Sequence, residues 1–242
     1  EKLGTNNGPE FDIAVDPLEG TNFAANNLPG ALSVIAIAEK NNLFNAPETY
    51  MEKISANVKD KNVIDLDYSV KKNIYNLSEY LSKVPENLTV CILDRPRHHN
   101  IIKELKELKV KLKLITDGDV SGALLVTDKK YNVDMFMGIG GGPEGVLAAA
   151  ALDAYDCLFQ GRFIFETNED KSRAKKMGIN NLSMKYNLDE IVSGDTIFCA
   201  TGVTSGDLVS GIKIDNNEFI SQTLVTHKSS GLKKVIDLKQ NL

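Results

Sequence analysis

The sequence predicts a layered α/β fold, and three observations carry that expectation. Apolar, β-branched runs of strand length recur along the chain. Helical stretches, amphipathic or Ala-rich, separate them. The main runs each end in a turn rich in Asp, Arg or Gly, which is how strands hand over to helices in α/β proteins.

Taken in order, FDIAVD (11–16) alternates apolar and polar residues and reads as a strand running into DPLEGT. ALSVIAIAE (31–39) is continuously apolar, as a strand buried on both faces must be. Residues 48–62 are polar with scattered apolar positions and read as helical. LTVCILD (88–94) is a second buried strand ending at DRPRHH. Over 99–110, Ile101, Ile102, Leu105 and Leu108 recur at helical spacing with Lys and Glu opposite. KLKLIT (111–116) reads as a strand stopping at DGD, and VDMFMGI (133–139) as another, followed by GGGPEG and an Ala-rich helix to about residue 157. Further strands are expected at 162–166, 196–201 and 221–226. The Asn- and Lys-rich stretches 40–80 and 168–190 read as solvated surface, and no internal repeat or low-complexity linker interrupts the chain.

The bulk properties narrow the partners. With 242 residues, 42% of them hydrophobic and 25% charged, the chain has the composition of a soluble globular protein able to bury a sizeable core. A net charge of −5 gives no general attraction to nucleic acid or to an anionic membrane. A phosphorylated substrate would need local Arg, Lys, backbone N–H groups or metal ions. Cys91, Cys157 and Cys199 are distant from one another and lie in apolar surroundings, which predicts buried free thiols in a reducing compartment. No run is long enough to span a bilayer and no signal peptide is visible, so a cytoplasmic protein is expected.

Four loops follow strands, and in open α/β sheets ligands bind beyond the carboxyl ends of strands. In the first, Asp16 and Glu19 flank a Pro17–Gly20 turn that can aim both carboxylates one way, which suits Mg²⁺ or Mn²⁺. Thr21 is placed to orient a water or to donate to a phosphoryl oxygen; the competing reading is an Asx-turn capping a helix. Arg95 and Arg97 flank Pro96 and offer forked donors to a phosphate, against a plain basic surface turn. His98 and His99 fit zinc poorly in such oxygen-rich company. Asp117-Gly118-Asp119 offers carboxylates to sugar hydroxyls, against simple capping by Asp119. The run Gly138 to Gly145 opens a helix and lets backbone approach an anion, but it lacks the Gly-Lys-Ser/Thr of a P-loop and strict GxGxxG spacing. Glu144 in its first turn suits the helix dipole in any case.

In this order, VDPLEGT, DRPRH, ITDGDVSGAL, GGGPEG and ATGVTSGDLVSGI resemble the class II fructose-1,6-bisphosphatases of the lithium-sensitive sugar-phosphatase superfamily, whose shared signature is DPxxGT. The resemblance runs from the first residues to about 212. It implies a layered α/β/α/β/α sugar-phosphatase fold with mixed sheets, and Mn²⁺- or Mg²⁺-dependent hydrolysis of the 1-phosphate of fructose 1,6-bisphosphate in gluconeogenesis. Residues 1–242 then form one family region, with a subdivision near residue 85 left open. The resemblance implies Asp16, Glu19 and Glu144 as metal ligands, and Thr21, Asp16 and Glu19 as catalytic. It implies Glu19, Gly20, Thr21, Tyr50, Arg95, Pro96, Arg97, Asp117, Gly118, Asp119 and Gly141 as substrate contacts. A homo-oligomer, dimer or tetramer, is also implied.

The family draws further acidic ligands from sequence upstream of DPxxGT, so the N-terminal part is expected to be missing here and residues 1–242 alone to lack efficient catalysis. Sedoheptulose 1,7-bisphosphate as substrate, an inositol-type monophosphatase and a non-catalytic sugar-phosphate sensor are the alternatives. A monophosphatase would not need the Arg95–Arg97 pair.

Overall fold

A computed structural model describes residues 2, 4, 5, 7–215 and 217–241. Strands β1 (Phe11–Glu19) and β2 (Leu32–Glu39) pair first, and β3 (Tyr50–Ala56) crosses to a second sheet. There it joins β4 (Thr89–Leu93), β5 (Lys111–Ile115), β6 (Met135–Gly141), β7 (Leu158–Ile164) and β8 (Lys185–Asn187) in the order β5-β4-β6-β3-β7-β8. The chain then returns to the first sheet with β9 (Thr196–Gly202), β10 (Lys213–Asp215), β11 (Glu218–His227) and β12 (Leu232–Asn241). That sheet runs β1-β2-β9-β11-β10, with β12 on the other side of β11. The second sheet is mixed, since β4 lies parallel to both β5 and β6. The first is antiparallel in every described pairing.

The helices are α1 (Thr21–Ala25), α2 (Val70–Leu81), α3 (His99–Glu107), α4 (Asp119–Leu124), α5 (Gly142–Asp153), α6 (Asn168–Lys176) and α7 (Leu188–Ile191). α5 fills the space between the sheets, against β1, β2 and β9 on one side and β3, β6 and β7 on the other. Its sequence explains the position: Val146 to Leu152 are apolar around the whole circumference and all buried, as a helix between two sheets requires. One core links both inner sheet faces through α4 and α5. A second core lies under α2 and α3 on the far face of the mixed sheet, where Ile74, Leu77, Ile102 and Leu105 meet Ile54, Val90 and Ile92. The layers thus run β/α/β/α, in agreement with an α/β sugar-phosphatase fold. The outer face of the first sheet exposes Phe11, Ile13, Val15 and Ile197. Residue 85 begins a single 3-10 turn ahead of β4, inside the run that builds the mixed sheet.

Three expectations are corrected. Residues 48–62 contain β3, the central strand between β6 and β7, rather than a helix. Its period-2 pattern is obscured because Lys53 and Ser55 are buried polar residues on the face that also carries Met51. The segments read as solvated surface contain α2 and α6. α2 is started by Ser69, whose hydroxyl accepts from the Lys72 N–H, and it buries Ile74 and Leu77. Cys91 and Cys157 are buried free thiols, and burial pushes each up to about 12. Cys199, expected to be buried, is only half-buried because it lies on the outer face of β9. Among the described residues no helix is long and apolar enough to cross a membrane.

Candidate active site

Asp16 and Glu19 are three residues apart on a strand, so strict alternation would send them to opposite faces. A one-residue register shift corrects this: Asp16 pairs with Val34 while Glu19 pairs with Leu32. The extra residue is a bulge at Pro17–Leu18, where the Leu18 N–H donates to Asp16 Oδ1 at 3.0 Å. Both acids therefore share the inner face of β1 with Val34 and Leu32 as neighbours. Gly20 follows with φ 77°, and the chain turns into α1 at Thr21.

The Asp117-Gly118-Asp119 turn meets this segment from β5. Asp117 accepts from the Asn22 N–H and from the Gly118 N–H, each at 3.1 Å, which ties α1 to the turn. Glu19 Oε1 accepts from the N–H groups of Val120 and Ser121 at the start of α4, the latter at 3.3 Å. Phe23 spaces the two turns: a Cβ at Gly20 would lie 2.7 Å from its ring, and one at Gly118 3.1 Å.

β6 brings the glycine loop. A Cβ at Gly140 would lie 1.8 Å from Asp119 Oδ2, and one at Gly141 1.9 Å from Glu144 Oε2, so only bare backbone admits these carboxylates. Arg95 lies 4.0 Å from Asp117. Arg97 donates from Nε to the Ile139 carbonyl at 2.8 Å and lies over the Tyr50 ring, 5.0 Å from its centroid.

One cavity of about 230 Å³ is lined by Asp16, Glu19, Gly20, Thr21, Arg95, Arg97, Asp117, Gly118, Asp119, Gly141 and Glu144. Of the residues singled out in the sequence, Tyr50 and Pro96 fall outside this lining. Tyr50 begins β3 opposite Gly141 and reaches the site through Arg97, and Pro96 opens the 3-10 turn that carries Arg97. A more apolar cavity of about 360 Å³, lined by Phe23, Leu32, Ile115 and Leu208 among others, adjoins it through Asp117.

The roles of three residues went unrecognised in the sequence. Lys53, buried on β3, pairs with Asp119. His98 is fully buried, with Nδ1–H donating to the Leu93 carbonyl and Nε2 accepting from the Ile139 N–H, each at 2.7 Å. Both its nitrogens are occupied within the fold, which leaves none for a metal. The period-2 placement of Lys53 between Met51 and Ser55 was a signal only once β3 was known to be a strand. The third, Phe23, carried no signal beyond its apolar character beside the motif.

A family model for the bacterial, glpX-encoded fructose-1,6-bisphosphatases matches residues 1–240. The chain belongs to this family. Among its relatives, a protein of Trichodesmium erythraeum (strain IMS101) is 39% identical over 241 aligned positions, covering 94% of this chain and 70% of the relative. A protein of Synechocystis sp. (strain ATCC 27184 / PCC 6803 / Kazusa) is 38% identical with the same coverage. Both are named D-fructose 1,6-bisphosphatase class 2/sedoheptulose 1,7-bisphosphatase. Membership assigns the chain to the phosphatase hydrolases, in a family dependent on a divalent metal.

The residues present fit part of a hard-cation site. Glu19 Oε2 and Asp119 Oδ1 are buried without a hydrogen-bond partner. Burial pushes the Glu19 carboxyl up to about 8, opposed by the Val120 amide and reinforced by Asp119 and then Asp16. A buried acid with a free oxygen becomes a stable anion only beside a cation, and an all-carboxylate wall selects a hard one. Among the described residues, however, no three Asp, Glu, His or Cys side chains gather closely enough to complete a cation site.

Proposed function

We propose that the protein hydrolyses the 1-phosphate of fructose 1,6-bisphosphate, giving fructose 6-phosphate and phosphate. The observation that carries this reading is the single cavity in which the carboxylates of Asp16, Glu19 and Glu144 meet the guanidinium groups of Arg95 and Arg97. A bisphosphate asks for both: a cation-holding wall for the reacting phosphate and forked donors for the distal one.

In this reading Asp16, Glu19 and Glu144 contribute ligands to Mn²⁺ or Mg²⁺. When bound, such a cation supplies Lewis acidity at the phosphoryl group and activates a water. Thr21, exposed at the start of α1 and on the cavity wall, orients the attacking water or donates to a phosphoryl oxygen. The positive end of the α5 dipole favours anionic phosphoryl oxygens, although the Gly142 N–H is spent on the Thr49 carbonyl and Pro143 has none. Arg95 and Arg97 bind the distal phosphate, with Arg97 oriented by the Ile139 carbonyl and the Tyr50 ring. Asp117, Gly118 and Asp119 face the sugar hydroxyls. Assignment to gluconeogenesis, to the cytoplasm and to a homo-oligomer follows from the same reading.

Phosphate release by the intact protein tests it, with fructose 1,6-bisphosphate and either Mn²⁺ or Mg²⁺. Asp16→Asn, or excess chelator, should lower turnover by orders of magnitude while the fold survives. Full activity under either condition overturns the reading. A second substrate, sedoheptulose 1,7-bisphosphate, is favoured by the relatives' names, which pair the two activities. One extra hydroxylated carbon leaves both phosphate ends unchanged, and the same assay decides between them.

A further inference from the structure

Lys53 has no role in the scheme above, yet it is among the most completely buried side chains in the fold. It lies on β3, the central strand of the mixed sheet, on the face shared with Met51 and turned toward α5. Space for it is kept by small residues. Gly161 is its cross-strand partner on β7, and a Cβ at Gly145 of α5 would come within 3.3 Å of Lys53 Cε. An ammonium group in such a place must be paired, and its partner is Asp119 Oδ2.

The consequence falls on Asp119. Its Oδ2 is fixed by Lys53 and lies against the bare backbone of Gly140, which leaves the carboxylate one orientation. Oδ1 is then left without a partner, on a side chain that lines the hydrolytic cavity. Glu19 beside it follows the same scheme, with Oε1 held by the Val120 and Ser121 amides and Oε2 unpartnered. Each acid is thus fixed by one oxygen, while the other is buried without a partner. A buried ion pair adds little net stability compared with an apolar pair of the same volume, so stability alone does not explain a lysine at this position. Orientation of Asp119 does.

We propose that Lys53 is a positioning residue of the hydrolytic site, acting through Asp119 by holding its carboxylate in one orientation on the cavity wall. The proposal rests on the hydrolase reading given above.

A double-mutant cycle on the intact protein tests it, using Lys53→Met, Asp119→Asn and the double variant. Each single variant should raise KM for fructose 1,6-bisphosphate by about tenfold or more. The double variant should match Asp119→Asn within about threefold in kcat/KM, because Lys53 has nothing left to orient. It should also melt above either single variant, each of which buries an unpaired charge. Multiplied losses in the double variant would overturn the proposal, since a lysine that merely supports the core would act independently of Asp119. So would a folded Lys53→Met protein with wild-type kcat and KM. If Lys53→Met fails to fold, the comparison of Asp119→Asn with the double variant decides the matter. A wild-type protein that releases no phosphate from any sugar bisphosphate would instead overturn the hydrolase reading. The crystal structure of Lys53→Met, or of the double variant, then tests positioning alone: a residue-119 side chain that keeps its orientation sinks the proposal, and a reoriented one supports it.

Discussion

Glu19, at the end of β1, accepts a hydrogen bond from the backbone N–H of Val120, 101 residues further along the chain. That contact joins the two sheets at the cavity, because β1 belongs to one and α4 follows β5 of the other. It also separates two properties of Glu19 that mutation can distinguish. Glu19→Gln keeps an acceptor for the Val120 amide and removes the ionisable group, so in chelator it should melt at or above the wild type. Glu19→Ala removes the acceptor and leaves a void, costing about 1–3 kcal/mol. Both should lose catalysis. Thermal melting beside phosphate release checks the pair, and equal destabilisation by Gln and Ala would show that the Val120 contact does not matter.

Gly140 gives a second prediction, because the space its missing side chain leaves is occupied by Asp119. Its φ is not positive, so alanine brings no left-handed strain there; the nearest obstacle is the carboxylate. Gly140→Ala should displace Asp119, weaken its pairing with Lys53 and reduce kcat/KM by about tenfold or more, with a modest loss of stability. A Gly140→Ala protein of wild-type kcat/KM would mean that Asp119 can move freely without consequence.

Arg97 predicts a difference between substrates. It is oriented by the Ile139 carbonyl and the Tyr50 ring, independently of any ligand. If it holds the non-reacting phosphate, Arg97→Ala should cost about 1.5–3 kcal/mol in kcat/KM on fructose 1,6-bisphosphate. Fructose 1-phosphate, which lacks that phosphate, should be hydrolysed nearly as well as by the wild type. Equal losses on both substrates would assign the guanidinium to another task.

How much of this was legible in the sequence depended on whether a residue's role is local. DPLEGT, DRPRH, DGD and GGGPEG each carry their chemistry within a few residues, and the strands before them are marked by β-branched runs. The cavity that unites Asp16, Arg95, Asp119 and Glu144 follows from those motifs lying at strand ends. β3 was misread because its buried face bears Lys53 and Ser55, whose polarity is compensated by contacts distant in sequence. The bulge at Pro17–Leu18 was equally hidden: only the register against Val34 and Leu32 shows that Asp16 and Glu19 share a face. α2 was lost among Asn and Lys, although Ser69 is an ordinary start signal and Ile74 and Leu77 lie on its inner side.

His98 supplies the pH-dependent prediction. It is buried between β4 and β6, and burial, helped by nearby Arg97, holds its pKa below the ordinary 6.5 against the opposing pull of its bond to the Leu93 carbonyl. As pH falls below about 6.5 the unfolded chain takes up a proton at this site that the folded chain refuses. Stability contributed here is therefore present above that value and declines on acidification, by at most about 1.4 kcal/mol per pH unit. Once His98 is protonated, Nε2 can no longer accept from the Ile139 N–H. The same residue's carbonyl orients Arg97, so KM for fructose 1,6-bisphosphate should rise on acidification before the protein unfolds. His98→Gln should flatten the stability profile between pH 7 and about 5, and it should raise KM at neutral pH toward the acidic wild-type value. Urea melts and steady-state kinetics across that range measure both effects. A His98→Gln protein with an unchanged pH profile would place the acid-sensitive group elsewhere.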